Sequence, residues 1–314
     1  MRLGWLNPSV HSKNLGDKII EDAVSRELRD IAPPHAEIVE LPTQRFLTAK
    51  ERRLAEECDG FIVGGTNLLN GNIPRYIQWK LDPLSARIYA GKTMLMGVGW
   101  WQYQPLNKFS NWVWRKVLHG QHHSARDSYT DRRLREEIGL RVVNTGCPTM
   151  WQLPDSIEFH SKPTTVITTI TDYHRNRERD LLQLTTLRER YETVRLWPQG
   201  AGDAEYVSSL GVDVEVIDPT LEAFDQEIAS GDADYFGTRL HAGVRALQHG
   251  ARSTIVAIDN RAEEISSDTG LPIVPNRLER QHVIDASDRA SVHLKLPREE
   301  IVRWKSLARH ALAT

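Results

Sequence analysis

Short apolar runs alternate with longer helical patterns along the chain, and this alternation predicts an α/β fold. In the first half, the strand candidates are RLGWL, AEIVEL, GFIVGG, TMLMGVG, HHSAR and RVVNTG. Apolar residues at helical spacing predict helices between them, at residues 16–31, 48–57, 74–90, 107–119 and 128–138. Strands separated by helices form parallel sheets that are covered on both faces.

The alternation stops and then restarts, which predicts two domains. The interruption is LPDSIEFHSKP at residues 153–163, which contains two prolines. After it, the strand candidates TTVITTI, TVRLW, VDVEVI, DYFGT and STIVAI alternate with helices at residues 178–191, 203–210, 221–230 and 242–249. We expect two Rossmann-like, doubly wound domains at residues 1–158 and 159–296, facing each other across a cleft, and a terminal helix at 297–314.

Composition limits the partners and the compartment. The chain has 40 Lys and Arg residues against 42 Asp and Glu residues, a net charge of -2, so no overall basic field favours nucleic acid. Cys58 and Cys147 are the two cysteines, and they form neither a disulfide framework nor a paired metal motif, which favours the cytoplasm. The sequence contains no apolar run of transmembrane length and predicts a soluble protein, although peripheral contact with a membrane stays open.

Ligands of doubly wound sheets bind outside the carboxyl ends of the strands, so the candidate residues are those that follow strands. Asn14, Gly16 and Asp17 follow the first strand and begin the first helix, where unpaired N–H groups favour an anion or a polar ligand. The structural alternative is that Asp17 favours the helix start and that Gly16 permits a tight turn.

Two further strand ends of the first domain carry candidates. Gly64, Gly65 and Thr66 follow a fully apolar strand, where small residues let a ligand approach the backbone or simply make a tight turn. Arg126 and Asp127 follow another strand, and the planar guanidinium of arginine suits carboxylate or phosphate. The structural alternative is a surface arginine paired with a helix-capping aspartate.

The segment DADYFGTRLHAGVRALQHG, residues 232–250, has the most specific chemistry. Gly237 ends a strand, and Arg239 and His241 follow it two positions apart. In an extended segment these two side chains point to the same side, so we expect them to face one anionic ligand beside a helix N-terminus. An ordinary histidine titrates at about pH 6.5, so His241 is a candidate general acid, or else a structural hydrogen-bond donor.

Aromatic and acidic clusters give weaker signals. Trp100 follows a strand and is a candidate for stacking on a sugar ring. Phe109, Trp112 and Val113 have the spacing of a buried helical face, which predicts core packing. The acidic pair in DAD and the adjacent histidines in HHSAR are not arranged around one ion, so we expect no metal and no cofactor.

The ordered set of motifs resembles the polysaccharide pyruvyl transferase family. The resemblance consists of NLGD after the first strand, GG after the apolar strand, SARDSYT, LREEIGLRVVNTGCP, and YFGTRLHAGVRALQHGARSTIVAIDNR. It implies a GT-B-like fold, often with the C-terminal helix returning to the first domain. It also implies transfer of pyruvate from phosphoenolpyruvate to a saccharide as a ketal, in polysaccharide assembly, with release of phosphate.

The resemblance also implies residue roles. Arg239 would hold the anionic donor, His241 would protonate its methylene carbon or steady its phosphate, and Arg126 would be a second donor anchor. The acceptor would be a saccharide, nucleotide-linked or lipid-linked.

The sequence departs from the family pattern at three positions. Thr66 stands where a third glycine is usual, Cys147 lies in a segment that often contains aspartate, and Arg261 stands where lysine is frequent. These differences leave the acceptor sugar unassigned. The alternatives are a GT-B glycosyltransferase that grips a sugar nucleotide and a non-catalytic saccharide-binding protein.

Overall fold

The computed structural model of the protein describes residues 1–160 and 162–313, which form two compact units. Unit 1 comprises Met1–Ser12, Ile20–Trp151 and the chain from Leu296 onward, and unit 2 comprises Lys13–Ile19 and Gln152–Lys295. Residues 13–19 were expected in the first domain but cluster with unit 2, and this difference matters for the site.

The strands and helices alternate along the described chain. The strands are β1 (Arg2–Asn7), β2 (Glu37–Pro42), β3 (Gly60–Gly64), β4 (Thr93–Met96), β5 (His122–Ala125), β6 (Arg141–Asn144), β7 (Ser156–Glu158), β8 (Thr165–Thr169), β9 (Thr193–Leu196), β10 (Glu215–Val216), β11 (Ala233–Gly237), β12 (Ser253–Ala257), β13 (Ile273–Pro275) and β14 (Ser291–His293). The helices are α1 (Leu15–Ile31), α2 (Ala49–Glu56), α3 (Pro83–Tyr89), α4 (Lys108–Leu118), α5 (Ser128–Arg132), α6 (Arg177–Arg190), α7 (Asp203–Ser208), α8 (Leu221–Ala229), α9 (Leu240–Gln248), α10 (Asn260–Thr269), α11 (Arg280–Ser287) and α12 (Arg298–Ala313).

Unit 1 contains a parallel sheet in the order β2-β1-β3-β4. The parallel pair β5-β6 extends it through a bridge between Val98 and Ala125. Every residue of β3 is buried, as expected for a central parallel strand whose sequence is apolar throughout.

Unit 2 contains a six-stranded parallel sheet in the order β10-β9-β8-β11-β12-β13. Numbered from β8, this is 3-2-1-4-5-6, the strand order of the Rossmann fold. The order reverses between β8 and β11, which are direct neighbours. β7 and β14 form a separate antiparallel pair in the same unit.

The helix α12 packs into the core of unit 1. Its residues Ile301, Trp304, Ala308 and Leu312 are buried in one apolar cluster with residues of β1, β3 and β4. The indole of Trp304 donates to the carbonyl of His122 at 3.1 Å. None of the helices within the described residues is both long and apolar enough to cross a membrane.

Most predicted elements are confirmed, and three differences have identifiable causes. The helix predicted at 74–90 is limited to α3, because Asp82 caps it and Pro83 is its first residue, and proline keeps the preceding residue extended. The helices α10 and α11 and the strands β7, β13 and β14 were not predicted, because they are short and lack strong periodicity. The helix predicted at 242–249 begins two residues earlier, at Leu240.

Gly237 permits close contact between β11 and β8. A Cβ at this position would lie 2.6 Å from the backbone nitrogen of Thr169 and 2.8 Å from its carbonyl oxygen. We expect Gly237→Ala to lower the free energy of unfolding by about 3 kcal/mol, because backbone atoms of the neighbouring strand cannot move aside cheaply. Urea unfolding measures this.

Gly60 is the matched control for that substitution. It also lies in a buried strand, but a Cβ there would meet no atom closer than 3.7 Å. Gly60→Ala should change stability by less than about 1 kcal/mol. Equal effects of the two substitutions would contradict the assigned role of Gly237 in strand packing.

Candidate active site

The carboxyl ends of β8 and β11 meet where the strand order of unit 2 reverses. β9 and β10 continue the sheet on the side of β8, and β12 and β13 continue it on the side of β11. Loops that leave two such strands run to opposite faces of the sheet and leave a crevice that binds ligands. Arg239 lies two residues after β11, and Tyr173 lies four residues after β8.

The backbone of Arg239 is held by two buried hydroxyl groups. Its N–H donates to Thr169 Oγ1 at 3.1 Å, and its carbonyl accepts from the Tyr235 hydroxyl at 2.9 Å. These two hydroxyl oxygens are themselves hydrogen-bonded at 2.6 Å. Arg239 is extended and immediately precedes α9, and within the described residues no side chain caps this helix N-terminus.

Asp203, the first residue of α7, forms a buried ion pair with Arg239. Nη2 of Arg239 donates to Oδ1 at 2.9 Å and to Oδ2 at 2.6 Å. The same carboxylate accepts from the backbone N–H groups of Asp172, Gln199 and Gly200. Arg239 is 6% exposed, and its Nε has no hydrogen-bond partner among the described residues. Asp203 therefore fixes the guanidinium and leaves it an unused donor.

Tyr173 lies beside two guanidinium groups. Cζ of Arg239 is 5.0 Å from the centre of its ring. Burial lowers the pKa of Arg261, but the carboxylate of Asp259 and the hydroxyl of Tyr173 more than reverse this and raise the pKa above its usual value. Arg261 also lies in the first turn of α10, after β12. Three neighbouring strand ends thus bring Tyr173, Arg239 and Arg261 together.

His241 lies in a different backbone conformation from the one expected. It is the second residue of α9, whereas Arg239 is the extended residue before the helix, so the two are not alternate residues of one strand. His241 is 6% exposed, so its side chain is buried at the start of the helix. Both residues nevertheless belong to the start of α9.

Asn14, Gly16 and Asp17 belong to unit 2 and lie beside the loop that holds Asp203. The N–H of Leu15 donates to the carbonyl of Gln199 at 3.4 Å, and the N–H of Gly16 donates to Asn14 Oδ1 at 3.1 Å. A Cβ on Gly16 would lie 3.3 Å from the side-chain oxygen of Gln199. The NLGD segment therefore contacts the same loop, around Gln199, that holds Asp203 and through it Arg239.

The glycines after β3 have a packing role in unit 1. A Cβ on Gly64 would lie 2.8 Å from two atoms of Val24, and a Cβ on Gly65 would lie 2.6 Å from Ile20. Gly65 also has a positive φ of 67°. Both glycines are thus required where α1 crosses the sheet. The carbonyl of Thr66 accepts from the N–H of Gly99 at 2.9 Å.

Arg126 and Asp127 are buried in unit 1. Nε of Arg126 donates to Asp127 Oδ2 at 3.1 Å, and Nη2 donates to Asn67 Oδ1 at 3.2 Å. Asp127 also caps α5 through the N–H of Thr130. The pairing with a helix-capping aspartate agrees with the structural alternative, but Arg126 is 1% exposed and therefore not at the surface. A ligand would contact it only after this part of the chain rearranges.

Trp100 is not available for stacking on a sugar. It is fully buried in the core of unit 1, and the guanidinium carbon of Arg133 lies 4.3 Å from the centre of its ring. The expected stacking role is therefore contradicted. Proximity to a strand end was a misleading signal here, because Leu69 pairs with Trp100 and continues the sheet.

Within residues 1–160 and 162–313, no group of three or more His, Cys, Asp or Glu side chains is arranged to hold an ion.

Comparison with protein families identifies the chain. The model of polysaccharide pyruvyl transferases matches residues 14–260. The chain belongs to the polysaccharide pyruvyl transferase family. The resemblance seen in the sequence is thereby confirmed. No curated protein matches the sequence of this transferase family member.

Two solved structures are similar to this pyruvyl transferase family member in fold. S. aureus MnaA, determined with UDP, has a TM-score of 0.51 and 12% identity, over 99% of this chain and 90% of that one. Methanocaldococcus jannaschii UDP-GlcNAc 2-epimerase, determined with UDP-GlcNAc and UDP, has a TM-score of 0.50 and 12% identity, over 96% and 99%. The fold is GT-B-like, with two Rossmann-like units, as the sequence predicted.

The family match begins at Asn14 and ends at Asn260, so in this pyruvyl transferase family member it includes Asn14, Asp203, Arg239 and His241. Arg261 lies one residue beyond it. Cys147 is buried, which raises the pKa of its thiol, and its Sγ lies 3.1 Å from Thr149 Oγ1. The thiol is therefore not an activated nucleophile.

Proposed function

We propose that the protein transfers pyruvate from phosphoenolpyruvate to a saccharide as a ketal, with release of phosphate, in the assembly of a cell-surface polysaccharide. The observation that carries the proposal is the position of Arg239, in the segment that matches the family and at the strand-order reversal of unit 2. Among the described residues, Nε of its guanidinium has no hydrogen-bond partner, and no side chain caps the helix that Arg239 precedes. Both features favour an anion.

The donor carries a carboxylate and a phosphate, so it requires more than one positive group. Arg239 and Arg261 flank Tyr173, and we assign them to the two anionic groups of phosphoenolpyruvate. Asp203 keeps Arg239 in place before the donor binds, because it has five hydrogen bonds to it and to the surrounding backbone. A preorganised cation stabilises charge without reorganising during the reaction.

His241 is assigned the proton transfer. It protonates the methylene carbon of the donor, which leaves an oxocarbenium-like centre at the carbon that carries the phosphate. One acceptor hydroxyl attacks this carbon and returns its proton to the imidazole. A second hydroxyl of the same sugar then displaces phosphate, which leaves with the second proton, and the ring of the ketal closes.

The acceptor is a saccharide with two hydroxyl groups close enough to close that ring, carried on a nucleotide or on a lipid. We propose that the protein acts in the cytoplasm, since Cys58 and Cys147 are both free thiols, as expected in a reducing compartment. Arg126, which lies in unit 1, stays a candidate for contact with the donor only in a rearranged state.

Product analysis tests the proposal. The protein is incubated with a saccharide library and phosphoenolpyruvate, and mass spectrometry should detect a product heavier by one pyruvate ketal, together with phosphate release that requires both substrates. Release of nucleotide from a sugar nucleotide, with no use of phosphoenolpyruvate, would identify a glycosyltransferase instead. Saccharide binding without turnover of either donor would identify a binding protein.

His241→Gln is the matched variant for that assay. Glutamine has a volume similar to that of histidine and does not transfer a proton, so it avoids the cavity that alanine would leave at this buried position. We expect the rate of ketal formation to fall by about 100- to 10,000-fold with little change in melting temperature. A rate equal to that of the wild type would refute the assigned proton transfer.

A further inference from the structure

One segment of the chain is strongly basic. From Gly60 to Arg126 the sequence contains a single acidic residue, Asp82, although the whole chain has more acidic than basic residues. The basic residues of this segment are Arg75, Lys80, Arg87, Lys92, Lys108, Arg115, Lys116 and Arg126. The segment includes α3 and α4.

An apolar groove lies between α3 and α4 and has a volume of about 570 Å³. Its lining is mostly apolar and includes Ile73, Leu81, Ala86, Val113 and Val117. We call this feature the α3–α4 groove. It lies within unit 1.

Two exposed aromatic side chains belong to the α3–α4 groove. Trp112 is 63% exposed and Phe109 is 51% exposed, with ring centres 6.1 Å apart. The helical spacing had predicted that both would be buried, and this is wrong, because α4 buries its other face through Val113, Trp114 and Val117. Large exposed aromatic side chains grouped on one face mark an interaction surface.

Basic side chains border the same groove. Arg87 and Lys116 belong to its lining, and Lys108 and Arg115 are exposed on α4. A smaller pocket of about 290 Å³, at the end of α4, is lined by Arg115, His119 and Arg141 among others.

Two of the acidic side chains around the groove, Asp82 and Glu137, form ion pairs. Asp82 caps α3 and forms an ion pair with Arg52 at 3.1 Å. On the π-helical turn that packs against α4, Glu137 is paired with Arg133 at 2.9 Å, and Glu136 is exposed. The face that carries the α3–α4 groove is therefore positive as well as apolar.

We propose that the α3–α4 groove docks on a bilayer surface that contains anionic lipids. Trp112 and Phe109 would enter the interface between headgroups and acyl chains, where amphipathic aromatic rings are favoured. Arg87, Lys116 and Arg115 contact the lipid phosphates, since each basic side chain near an anionic surface adds to the attraction. A symmetric dimer through this face would bring the same basic side chains of two copies together, which opposes that alternative.

Vesicle flotation tests the proposal with the full-length protein. Neutral phosphatidylcholine vesicles are compared with vesicles that also contain phosphatidylglycerol, at low and at high salt. We expect the protein to float with the anionic vesicles, at least about tenfold more strongly than with neutral ones, and to be released by salt. If the protein floated with neither kind of vesicle, the proposal would be overturned.

Matched variants separate the apolar and the basic contributions. Trp112→Ser should weaken binding to anionic vesicles roughly tenfold. Phe46→Ser is its control, because Phe46 is also about half exposed and lies outside the α3–α4 groove. The double variant Arg87→Gln/Lys116→Gln should weaken binding at least as much, by about tenfold, whereas Lys295→Gln/Arg303→Gln, with the same change in net charge, should not.

These variants also distinguish the other occupants. If wild-type protein elutes as a dimer by size-exclusion chromatography and Trp112→Ser makes it a monomer, the groove joins two copies and the proposal is overturned. If the Trp112 and Phe46 variants bind vesicles equally, the groove is not the contact. Both measurements are independent of pyruvyl transfer, so they stand whether or not the donor is phosphoenolpyruvate.

Discussion

Replacing Arg239 with lysine should lower kcat/KM for phosphoenolpyruvate by roughly 100- to 1,000-fold. The guanidinium uses one nitrogen for Asp203 and still has a donor for a ligand, because its N–H groups are spread over a rigid plane. A lysine ammonium is a single point charge, and pairing with Asp203 would draw it away from the donor. Steady-state kinetics with each substrate varied in turn measures the effect.

The control for this variant is Arg195→Lys. Arg195 lies on β9 of the same sheet, is partly exposed and pairs with Glu215 at 2.9 Å. Its substitution should change kcat/KM by less than about twofold, since an exposed ion pair contributes little. An Arg239→Lys enzyme that keeps wild-type kinetics would remove Arg239 from the donor site, and with it the main support for the proposed function.

Replacing Asp203 with asparagine should destabilise unit 2 by about 3 to 5 kcal/mol. The substitution leaves the guanidinium of Arg239 buried without its counter-ion, and breaking one partner of a buried pair has this magnitude. The loop that contains Gln199 and Gly200 also loses the charge that its N–H groups contact. Thermal and urea unfolding measure the loss.

Two further variants show whether that loss of stability comes from the buried charge. Asp225→Asn breaks the partly exposed pair with Arg245 and should cost about 1 kcal/mol or less. The double variant Asp203→Asn/Arg239→Met removes both charges, keeps a side-chain oxygen for the backbone N–H groups, and should recover most of the stability but none of the activity. If Asp203→Asn were as stable as the wild type, the ion pair would not be what holds the pocket.

The strand positions were largely predictable from the sequence, and this follows from their physical origin. A strand such as β3 is buried on both faces, so its sequence, GFIVG, is apolar throughout. The first and last residues of the helices were harder to predict than their existence. α9 begins at Leu240 because Arg239 is extended, and two residues of error there changed the expected geometry of His241 completely.

The partners of Arg239 were not predicted, because they come from distant parts of the chain. Asp203 lies 36 residues from Arg239, and Tyr173 lies still further away in the sequence. Each follows a strand of the same sheet, in the segments PQGAGD and TITDYH. The rule that ligand-binding residues follow strands applies to both, but many polar residues follow strands in this sequence, and the order of the strands was needed to choose among them.

The position of α12 affects how the protein folds during synthesis. The core of unit 1 is built from residues 1–12 and 20–151 together with Ile301, Trp304 and Leu312. All of unit 2 is translated before these three side chains leave the ribosome. Unit 2 can thus complete its core first. Meanwhile the sheet of unit 1 keeps one apolar face uncovered, and we expect chaperones to bind mainly to this incompletely folded unit.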